Sequence, residues 1–347
     1  MAKPMPIGPA SGGLTISVVM PAYNAARCLA QVLEPLLAMR ATGEIAEVLV
    51  VDDQSTDATA DIARTLGAKV LTNPSRGGPG AARNFAADHA LGDILWMVDS
   101  DVIAHPGGAA RIAAAFYDDS IHAVFGSYDD APADRGWMSQ YKNLMHRYYH
   151  QRARHEATTF WAGCGAVRKS AFLAIGGFDT ETYQRPSIED IELGYRIKAA
   201  GGRILLLPDL LGKHLKRWTI RNAVHTDIFC RALPWSRLMV GGAGVPDDLN
   251  TSKTERLKAG LAAALLLSTL LLPLAPRYWW LWIGLLAAAV LANWPFLRYL
   301  TRAAGLRVAV LGGAFHQVYY VYSACAFVWS LFEVTVGLGR NNRRKKT

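Results

Sequence analysis

The feature that most constrains this chain is the scarcity of charge in its C-terminal region. Only six charged side chains lie between Leu257 and Gly339, although 19% of the 347 residues are charged. Three apolar stretches fill this region, at 261–274, 278–297 and 308–338. A membrane-spanning helix needs about 20 mainly apolar residues. Residues 257–339 are therefore predicted to form a transmembrane region of two to four spans.

The stretch 308–338 is longer than one span requires. The arginines that precede it and the basic tail 340–347 both favour the cytoplasmic side under the positive-inside rule, and one simple span cannot satisfy both. Two solutions stay open. Either the stretch turns back near Gly312 and Gly313, or part of it lies along the membrane interface.

Residues 1–14 lack the apolar core of a signal peptide. We therefore expect a flexible N-terminus and a soluble part that stays in the cytoplasm. This predicts a multi-pass membrane protein whose soluble part lies at the cytoplasmic face of the cell inner membrane.

The segment 213–256 mixes cations with aromatic and aliphatic side chains, for example Lys216 and Arg217 beside Trp218. This pattern is typical of amphipathic helices on a membrane surface. The formal net charge is +9, and much of the excess lies at this predicted boundary. The charge therefore favours phospholipid over nucleic acid as the partner.

Residues 15–212 alternate short β-branched runs with helical stretches. The predicted strands are 15–21, 47–51, 69–71 and 94–98, and the predicted helices between them are 26–40, 56–66 and 80–91. This alternation predicts an α/β domain with a mostly parallel sheet. Ligands of such sheets bind beyond the carboxyl ends of the strands.

Polar side chains follow three of these strands. Tyr23 ends the first strand, Asp52 and Asp53 end the second, and Asp99 and Asp101 end the fourth. One ligand site at this edge of the sheet is expected.

The pair Asp52 and Asp53 precedes a helix, so helix capping is the alternative explanation. Ser55 as N-cap and Asp57 in the first turn would satisfy that reading, but it leaves two adjacent carboxylates unexplained. A contact with a nucleotide base or ribose accounts for them.

The triplet Asp99-Ser100-Asp101 places two carboxylates at one strand end. Their mutual repulsion favours a cation, and oxygen ligands with open coordination positions suit Mg²⁺ or Mn²⁺ that also holds a diphosphate.

A glycine-rich turn runs from Arg76 to Asn84 and enters a helix. Its backbone N–H groups, with Arg76 and Arg83, could approach a phosphate. It follows the third strand and lacks the third glycine of a dinucleotide fingerprint, so a membrane-tethered oxidoreductase is disfavoured.

Ser187-Ile188-Glu189-Asp190 precedes another predicted helix, at 191–200. A capping box led by Ser187 is one reading. The other makes Asp190 a general base that deprotonates an acceptor hydroxyl. Spacing alone does not separate the two.

Taken in order, six segments resemble family 2 glycosyltransferases of the GT-A fold. They are PAYN at 21–24, EVLVVDDQSTDAT at 47–59, GPGAARN at 78–84, VDSD at 98–101, GGFD at 176–179 and IEDIELGYR at 188–196. The resemblance implies an inverting transfer from a nucleotide sugar, usually a UDP- or GDP-sugar.

The resemblance also implies roles for individual residues. Asp52 or Asp53 would contact the base, Asp99 the ribose and diphosphate, and Asp101 the metal, while Asp190 would be the catalytic base.

It further implies donor contacts at Pro21 and Tyr23 and places Glu189 on the acceptor side. Downstream, His214 to Trp218 looks like the Q/RxxRW motif of ceramide glucosyltransferases and processive synthases. There the arginine, here Arg217, holds diphosphate, and the tryptophan, here Trp218, stacks against the acceptor. His214 departs from that pattern and has a second reading as a metal ligand, with a plain interfacial histidine as the alternative.

The predicted membrane region favours a lipid or lipid-linked acceptor. A polyprenyl-phosphate acceptor is the alternative, although DSDVIAHP at 99–106 differs from the DADLQ-like stretch frequent in such enzymes. A catalytically silent membrane scaffold of the same fold is the other alternative, and the acidic residues at all three positions argue against it.

Overall fold

The computed structural model describes residues 13–336. Most of the predicted N-terminal segment and all of the basic tail therefore lie outside the described residues. The chain divides into two compact units. The first comprises the residues up to Ser127 and His155–Lys213, and the second comprises Tyr128–Arg154 and the residues from His214 onward. Residues 128–154, which the sequence groups with the catalytic domain, belong to the second unit.

The first unit is built on one sheet of nine strands. They are β1 (Ile16–Ala22), β2 (Glu47–Asp52), β3 (Lys69–Thr72), β4 (Ile94–Val98), β5 (Val102–Ala104), β6 (Ile121–Tyr128), β7 (Glu156–Ala157), β8 (Cys164–Arg168) and β9 (Arg203–His214). The order is β3-β2-β1-β4-β8-β6-β9-β5, and β7 pairs with β9.

The strands of this sheet do not all run the same way. β3, β2, β1 and β4 are parallel, which confirms the predicted strand-helix alternation, because parallel neighbours need crossover connections that helices supply. β8 is antiparallel to both β4 and β6, and β7 is antiparallel to β9. The sheet is therefore mixed, and the prediction of a mostly parallel sheet is wrong beyond the first four strands.

Six helices accompany this sheet in the described part of the first unit. They are α1 (Leu29–Ala41), α2 (Thr59–Thr65), α3 (Gly78–His89), α4 (Gly108–Ala115), α6 (Lys169–Ala174) and α7 (Glu189–Ala199). β1, β2 and β4 are buried along their whole lengths, as continuous apolar runs covered on both faces should be. Polar side chains on these segments can reach solvent only past the strand ends, which is where they occur.

The second unit is helical. Its helices are α5 (Trp137–His150), α8 (Ile220–His225), α9 (Leu233–Leu238), α10 (Lys253–Leu271), α11 (Trp279–Ala292), α12 (Trp294–Ala304) and α13 (Leu306–Thr335), and α8 and α9 continue into π-helical segments at Thr226–Ala232 and Met239–Ala243. α8, α9 and the π-helical segments lie within the predicted interfacial region, 213–256, which also contains the start of α10.

Buried polar side chains tie these helices together. Lys142 of α5 lies 2.6 Å from Asp227 (Nζ to Oδ1), and the Tyr322 hydroxyl donates to the other oxygen of Asp227. On α10, Glu255 accepts hydrogen bonds from the hydroxyls of Tyr149 and Tyr320. Burial without partners would cost several kcal/mol per charge, so these pairs fix which helix faces meet.

The length of α13 bears on the open question about residues 308–338. α13 is one continuous helix of 30 residues, so it does not turn back at Gly312 and Gly313. A Cβ on Gly312 would lie 2.8 Å from the ring of Tyr141, and one on Gly313 would lie 2.5 Å from Leu297. These glycines therefore admit neighbouring side chains at close range and do not reverse the chain.

The stretch 278–297 is also not a single straight helix. It breaks between α11 and α12, and the helical segments Pro276–Ala292 and Trp294–Ala304 meet at an angle of 64°. By length and composition alone, α13 is long and apolar enough to cross a membrane, and the bent pair would be a second such element if it acts as one span.

Candidate functional site

The carboxyl ends of β2, β1 and β4 are neighbours in the sheet. Ala22 at the end of β1 pairs with Asp52 at the end of β2, and β1 pairs on its other side with β4. The residues just past these ends, Tyr23, Asp53 and Asp99, consequently lie along one edge of the first unit. The structure thus brings together the strand-end side chains that the sequence predicts as one site.

Asp53 is bound to the glycine-rich turn of its own unit. One carboxylate oxygen accepts hydrogen bonds from the Asn73 side chain (2.8 Å) and from Gly77 N (3.0 Å), and the other accepts from Gly78 N (2.8 Å). Asp53 is buried. Two of the N–H groups predicted to face a phosphate are therefore occupied by this carboxylate, which holds the turn in place.

Asp52 and Asn24 lock the two adjoining strand ends. Asp52 Oδ1 accepts from Ser55 N at 3.1 Å, and the Asn24 side chain accepts from Thr56 N at 2.8 Å. Asn24 has φ +50°, a left-handed conformation that asparagine tolerates better than most residues. The N-cap position of α2 is Ala58, so Ser55 is not the N-cap. The capping alternative is wrong for Ser55, and Asp52 is what holds the turn before the helix.

Tyr23 and Arg76 form an exposed platform at this edge. The Arg76 guanidinium lies 3.9 Å from the centroid of the Tyr23 ring, and both residues are exposed. By contrast Pro21 is buried within β1, where it pairs with Val51. Tyr23 and Arg76 can meet a flat ligand directly, whereas Pro21 can only support them.

Arg83 links the edge formed by the strand ends to the start of α7. Its guanidinium lies 2.5 Å from Asp99 (Nη2 to Oδ1) and 3.9 Å from Glu189 (Nη1 to Oε1). Only 3% of the Arg83 side chain is exposed, against 36% for Asp99. Arg83 is therefore a buried counterion between two carboxylates, and not the exposed phosphate contact that the sequence suggests.

Glu189 is buried at the first turn of α7, with one carboxylate oxygen accepting from Ser187 N at 2.7 Å. Burial and the adjacent charge of Asp190 raise the pKa of Glu189 to about 7, against the opposing effect of Arg83. The carboxyl thus titrates near neutral pH. Its predicted acceptor contact remains a prediction, because the group faces Arg83 inside the first unit.

Asp190 is held by backbone donors. Its Oδ2 accepts from Ala162 N at 3.1 Å, and its Oδ1 accepts from Ile191 N at 2.8 Å. The N–H of Ser187 donates to Glu189, and no side-chain cap is formed on α7. The capping-box reading is therefore wrong, and the orientation of Asp190 is set by the segment before β8.

Sequence reasoning missed the role of Asn84. Its side-chain amide donates to Phe178 O (2.9 Å) and its oxygen accepts from Phe178 N (2.8 Å), so it fastens the segment 176–179 to α3. Gly177 has φ +67°, and a Cβ there would lie 2.5 Å from the Asn84 side chain. The available signal was that GPGAARN and GGFD occur in the same chain. Asn84 of the first motif is hydrogen-bonded to Phe178 of the second.

The metal prediction concerns Asp99 and Asp101. Among residues 13–336 there is no group of three or more His, Cys, Asp or Glu side chains arranged to hold a metal ion. Two partly exposed carboxylates suit a divalent cation that takes its other ligands from water and substrate phosphates, which is how Mg²⁺ is usually bound. The donor set therefore fits a cation that binds together with a diphosphate.

Three predicted residues belong to the second unit. His214 is buried there, with Nδ1 2.7 Å from the Asn143 side-chain oxygen and its ring stacked on Tyr128 at 4.4 Å. Trp218 is also buried and packs in that unit's core. Arg217 is 73% exposed. The roles of these residues toward metal, acceptor and diphosphate stay predictions.

Comparison with known proteins agrees with this geometry. Residues 17–176 match the model of the family described as Glycosyl transferase family 2. The pre-mycofactocin glycosyltransferase of Mycobacterium tuberculosis is 27% identical over 234 residues, which cover 63% of this chain and 47% of that protein. The validoxylamine A glucosyltransferase of Streptomyces hygroscopicus subsp. jinggangensis is 28% identical over 227 residues, covering 54% and 52%.

Among solved structures, the mannosyltransferase PcManGT from Pyrobaculum calidifontis, in complex with GDP-Man and Mn²⁺, has a similar fold. Its TM-score is 0.55 at 19% identity, with 94% of this chain and 91% of that chain covered. The chain spans about half the length of the two glycosyltransferase relatives named above. Residues 17–176 therefore resemble family 2 glycosyltransferases in sequence, and the mixed sheet of the first unit is GT-A-like.

Proposed function

We propose that this chain is an inverting glycosyltransferase that moves a sugar from a nucleotide sugar to a membrane lipid or lipid-linked acceptor. The observation that carries the proposal is the convergence of Tyr23, Asp52 and Asp99 at adjacent strand ends of a family 2 domain. Carboxyl ends of neighbouring parallel strands are where such folds bind nucleotides.

The donor half of the site divides into a base region and a diphosphate region. The exposed pair of Tyr23 and Arg76 offers a flat surface on which a base can stack, and Asp52 lies at the adjoining strand end. Asp99 and Asp101 would hold the diphosphate together with Mg²⁺ or Mn²⁺. When bound, such a cation would offset negative charge growing on the leaving diphosphate.

Arg83 and Glu189, which are both buried, support the proposed diphosphate region. The buried guanidinium keeps Asp99 oriented while neutralising part of the charge that Asp99 and Glu189 bring into the site. Without it, two carboxylates would repel the diphosphate. Arg83 therefore acts on the donor through Asp99.

Transfer requires a base on the acceptor side of the sugar. Asp190 would take the proton of the acceptor hydroxyl as its oxygen bonds to the anomeric carbon, while the bond from that carbon to the diphosphate oxygen breaks. The nucleoside diphosphate leaves, and the configuration at the anomeric carbon inverts in this single displacement. The backbone donors at Ala162 and Ile191 keep the carboxylate aimed during the step.

A lipid acceptor is supported by the second unit. Large apolar side chains stand exposed on α10, on α11 and in the turn between them, including Leu270 (74%), Leu274 (82%) and Trp279 (58%). Exposed apolar surfaces of this extent mark membrane or partner contacts. With a cytoplasmic first unit, the domain would work at the inner face of the cell membrane. The exposed cation of Arg217 could then contact an anionic group such as the diphosphate.

The test is release of free nucleotide by purified full-length protein. A panel of UDP- and GDP-sugars is incubated with Mn²⁺ and with lipid extracts, and nucleotide and glycolipid products are measured. One donor should be consumed only when lipid is present, and removal of divalent metal should stop the reaction. A reaction with polyprenyl phosphate as the only acceptor tests the alternative that this lipid phosphate accepts the sugar. Failure to bind any nucleotide sugar would leave the silent scaffold as the correct function.

A further inference from the structure

Helix α12 is separated from α11 by two local features. Asn293 caps the end of α11, where its amide donates to Ala289 O (2.9 Å) and its oxygen lies 3.1 Å from the Tyr320 hydroxyl. Pro295 lies in the first turn of α12, where its missing N–H is tolerated, whereas it would interrupt a continuous helix. The chain therefore bends by 64° and starts a new helix.

The faces of α12 differ sharply. Phe296 and Leu300, four residues apart, are buried in the second unit. Arg298 and Arg302 are exposed, and the helical period of 3.6 residues places them on the opposite side. Arg307, just beyond Gly305, is also exposed. A basic surface thus faces outward from a helix whose apolar side is already packed.

The charge of this surface is not offset by acids nearby in the sequence. No Asp or Glu occurs between Glu255 and Glu333, and these two are bound to Lys258 (2.7 Å) and Arg237 (2.8 Å). Asp130, whose charge acts on Tyr299 of α12, lies 3.8 Å from Arg147. The arginines of α12 therefore offer their charge to a ligand outside the chain.

Exposed apolar side chains flank these arginines along the chain, and we call them the rim. Leu291 (71% exposed) and Trp294 (56%) precede the arginines, and Leu306 (69%) and Val310 (60%) follow them. Cations bordered by leucine and tryptophan match the boundary between headgroups and acyl chains. A nucleic acid or an acidic protein would leave this rim in water.

Helix lengths agree with an interfacial position for α12. The 14 residues of α11 extend about 21 Å at 1.5 Å per residue, which is less than the roughly 30 Å of a hydrocarbon core. α11 alone is therefore too short to cross the core, and as a hairpin with α10 it would return toward the interface from which the hairpin enters. A helix inclined by 64° to α11 runs nearer to the membrane plane than spanning helices do, since these tilt by about 20° on average.

We propose that the outward face of α12, with Arg298 and Arg302, and the adjoining first turn of α13, with Arg307, bind the headgroups of anionic phospholipids. The inference rests on the membrane attachment in the proposed function and adds the lipid class and the surface that selects it. The three guanidinium groups bind phosphate oxygens, and Trp294 contacts the adjoining acyl chains.

The experiment uses full-length protein in non-ionic detergent micelles, titrated with brominated phosphatidylglycerol or brominated phosphatidylcholine. Bromine quenches nearby tryptophan fluorescence, and a Trp294→Phe variant identifies the signal from α12. Wild type should bind phosphatidylglycerol more tightly than phosphatidylcholine, and high salt should reduce this difference in affinity. The triple variant R298Q/R302Q/R307Q should weaken phosphatidylglycerol binding by roughly a hundredfold, at about fivefold per cation.

Two controls make the result specific. The variant R64Q/R111Q/K198Q removes the same charge from the first unit and should bind lipid like wild type, and R298K/R302K/R307K should retain most of the preference. Equal quenching of wild type by both lipids, or an unchanged preference in the triple Gln variant, would overturn the proposal. Nucleotide-sugar binding measured on the same samples separates this outcome from failure of the proposed function, because α12 has no part in the donor site.

Discussion

The two units distribute polar and apolar side chains in opposite ways. Six large apolar side chains are exposed in the described part of the first unit, whereas the described part of the second unit exposes 27. Conversely, the helices of the second unit bury charged groups such as Lys142, Asp227 and Glu255 against one another. The first unit has an apolar interior with a polar edge, as a water-soluble domain does. The second has polar ties inside and leucine and tryptophan outside, as suits a lipid surrounding.

This contrast assigns different work to similar interactions. In the first unit, the ion pair of Arg83 with Asp99 lies at a partly exposed edge, within the candidate site. In the second, the ion pair of Lys142 with Asp227 is fully enclosed and holds helices in register. Variants of the two kinds should consequently fail in different assays.

The largest effect is expected for Asp190→Asn. Losing the base should reduce transfer by roughly 10²–10⁴-fold, with donor affinity retained because Asp190 does not hold the donor. Turnover and calorimetric donor binding are measured together. Asp88→Asn, an exposed acid at the end of α3, is the matched control. Turnover near wild type in Asp190→Asn would show that another group is the base.

Lys142→Met tests the second unit. It leaves Asp227 buried with only neutral partners, which should cost about 3–5 kcal/mol of unfolding free energy, measured by denaturation in detergent. Burial lowers the pKa of Lys142, and the charge of Asp227 opposes that shift. Each of the two charges is therefore stable in the interior only while the other is present. Lys142→Met/Asp227→Leu should recover most of the loss. A double variant no more stable than the single one would refute the pairing argument.

The pH dependence of stability tests Glu189. Its folded pKa of about 7 lies above the usual value near 4.3, so the folded state holds this proton more tightly. Its stabilising effect is complete below pH 4 and is lost as the pH rises through 7. The difference of about 2.7 between these two pKa values corresponds to roughly 4 kcal/mol.

Glu189→Gln should therefore flatten the decline in Tm between pH 5 and about 8. Glu192→Gln on the same helix, whose acid is paired with Arg196 (2.7 Å), serves as the control. Parallel Tm profiles for wild type and Glu189→Gln would contradict the assignment.

The smallest effect is expected for Tyr23→Ala. Removing a stacking ring costs roughly 1–3 kcal/mol per base, so donor Kd should rise at least about fivefold while kcat stays near wild type. Tyr117, 90% exposed elsewhere in the first unit, supplies the control Tyr117→Ala. An unchanged Kd would show that the base does not stack on Tyr23 and Arg76.

The sequence predicted most of what its local patterns encode. β4 has the predicted bounds, β2 and β3 each extend one residue further, and β1 is shifted by one residue, because apolar runs bounded by polar turns are a strong local signal. It could not predict that Asp53 binds the glycine-rich turn, since that contact joins residues more than twenty positions apart. The antiparallel insertion of β8 between β4 and β6 escaped for the same reason.

The sequence alone determined that the chain has an α/β half with acids at its strand ends and an apolar half that avoids charge, because composition and periodicity are local properties. Only the tertiary structure decided which of those acids are spent on the fold and which face outward. It buries Arg83 and Glu189, leaves Asp99 partly open, and breaks one apolar stretch to present the arginines of α12. Those outcomes depend on which groups must share a low-dielectric interior, and that is set by contacts between residues distant in the chain.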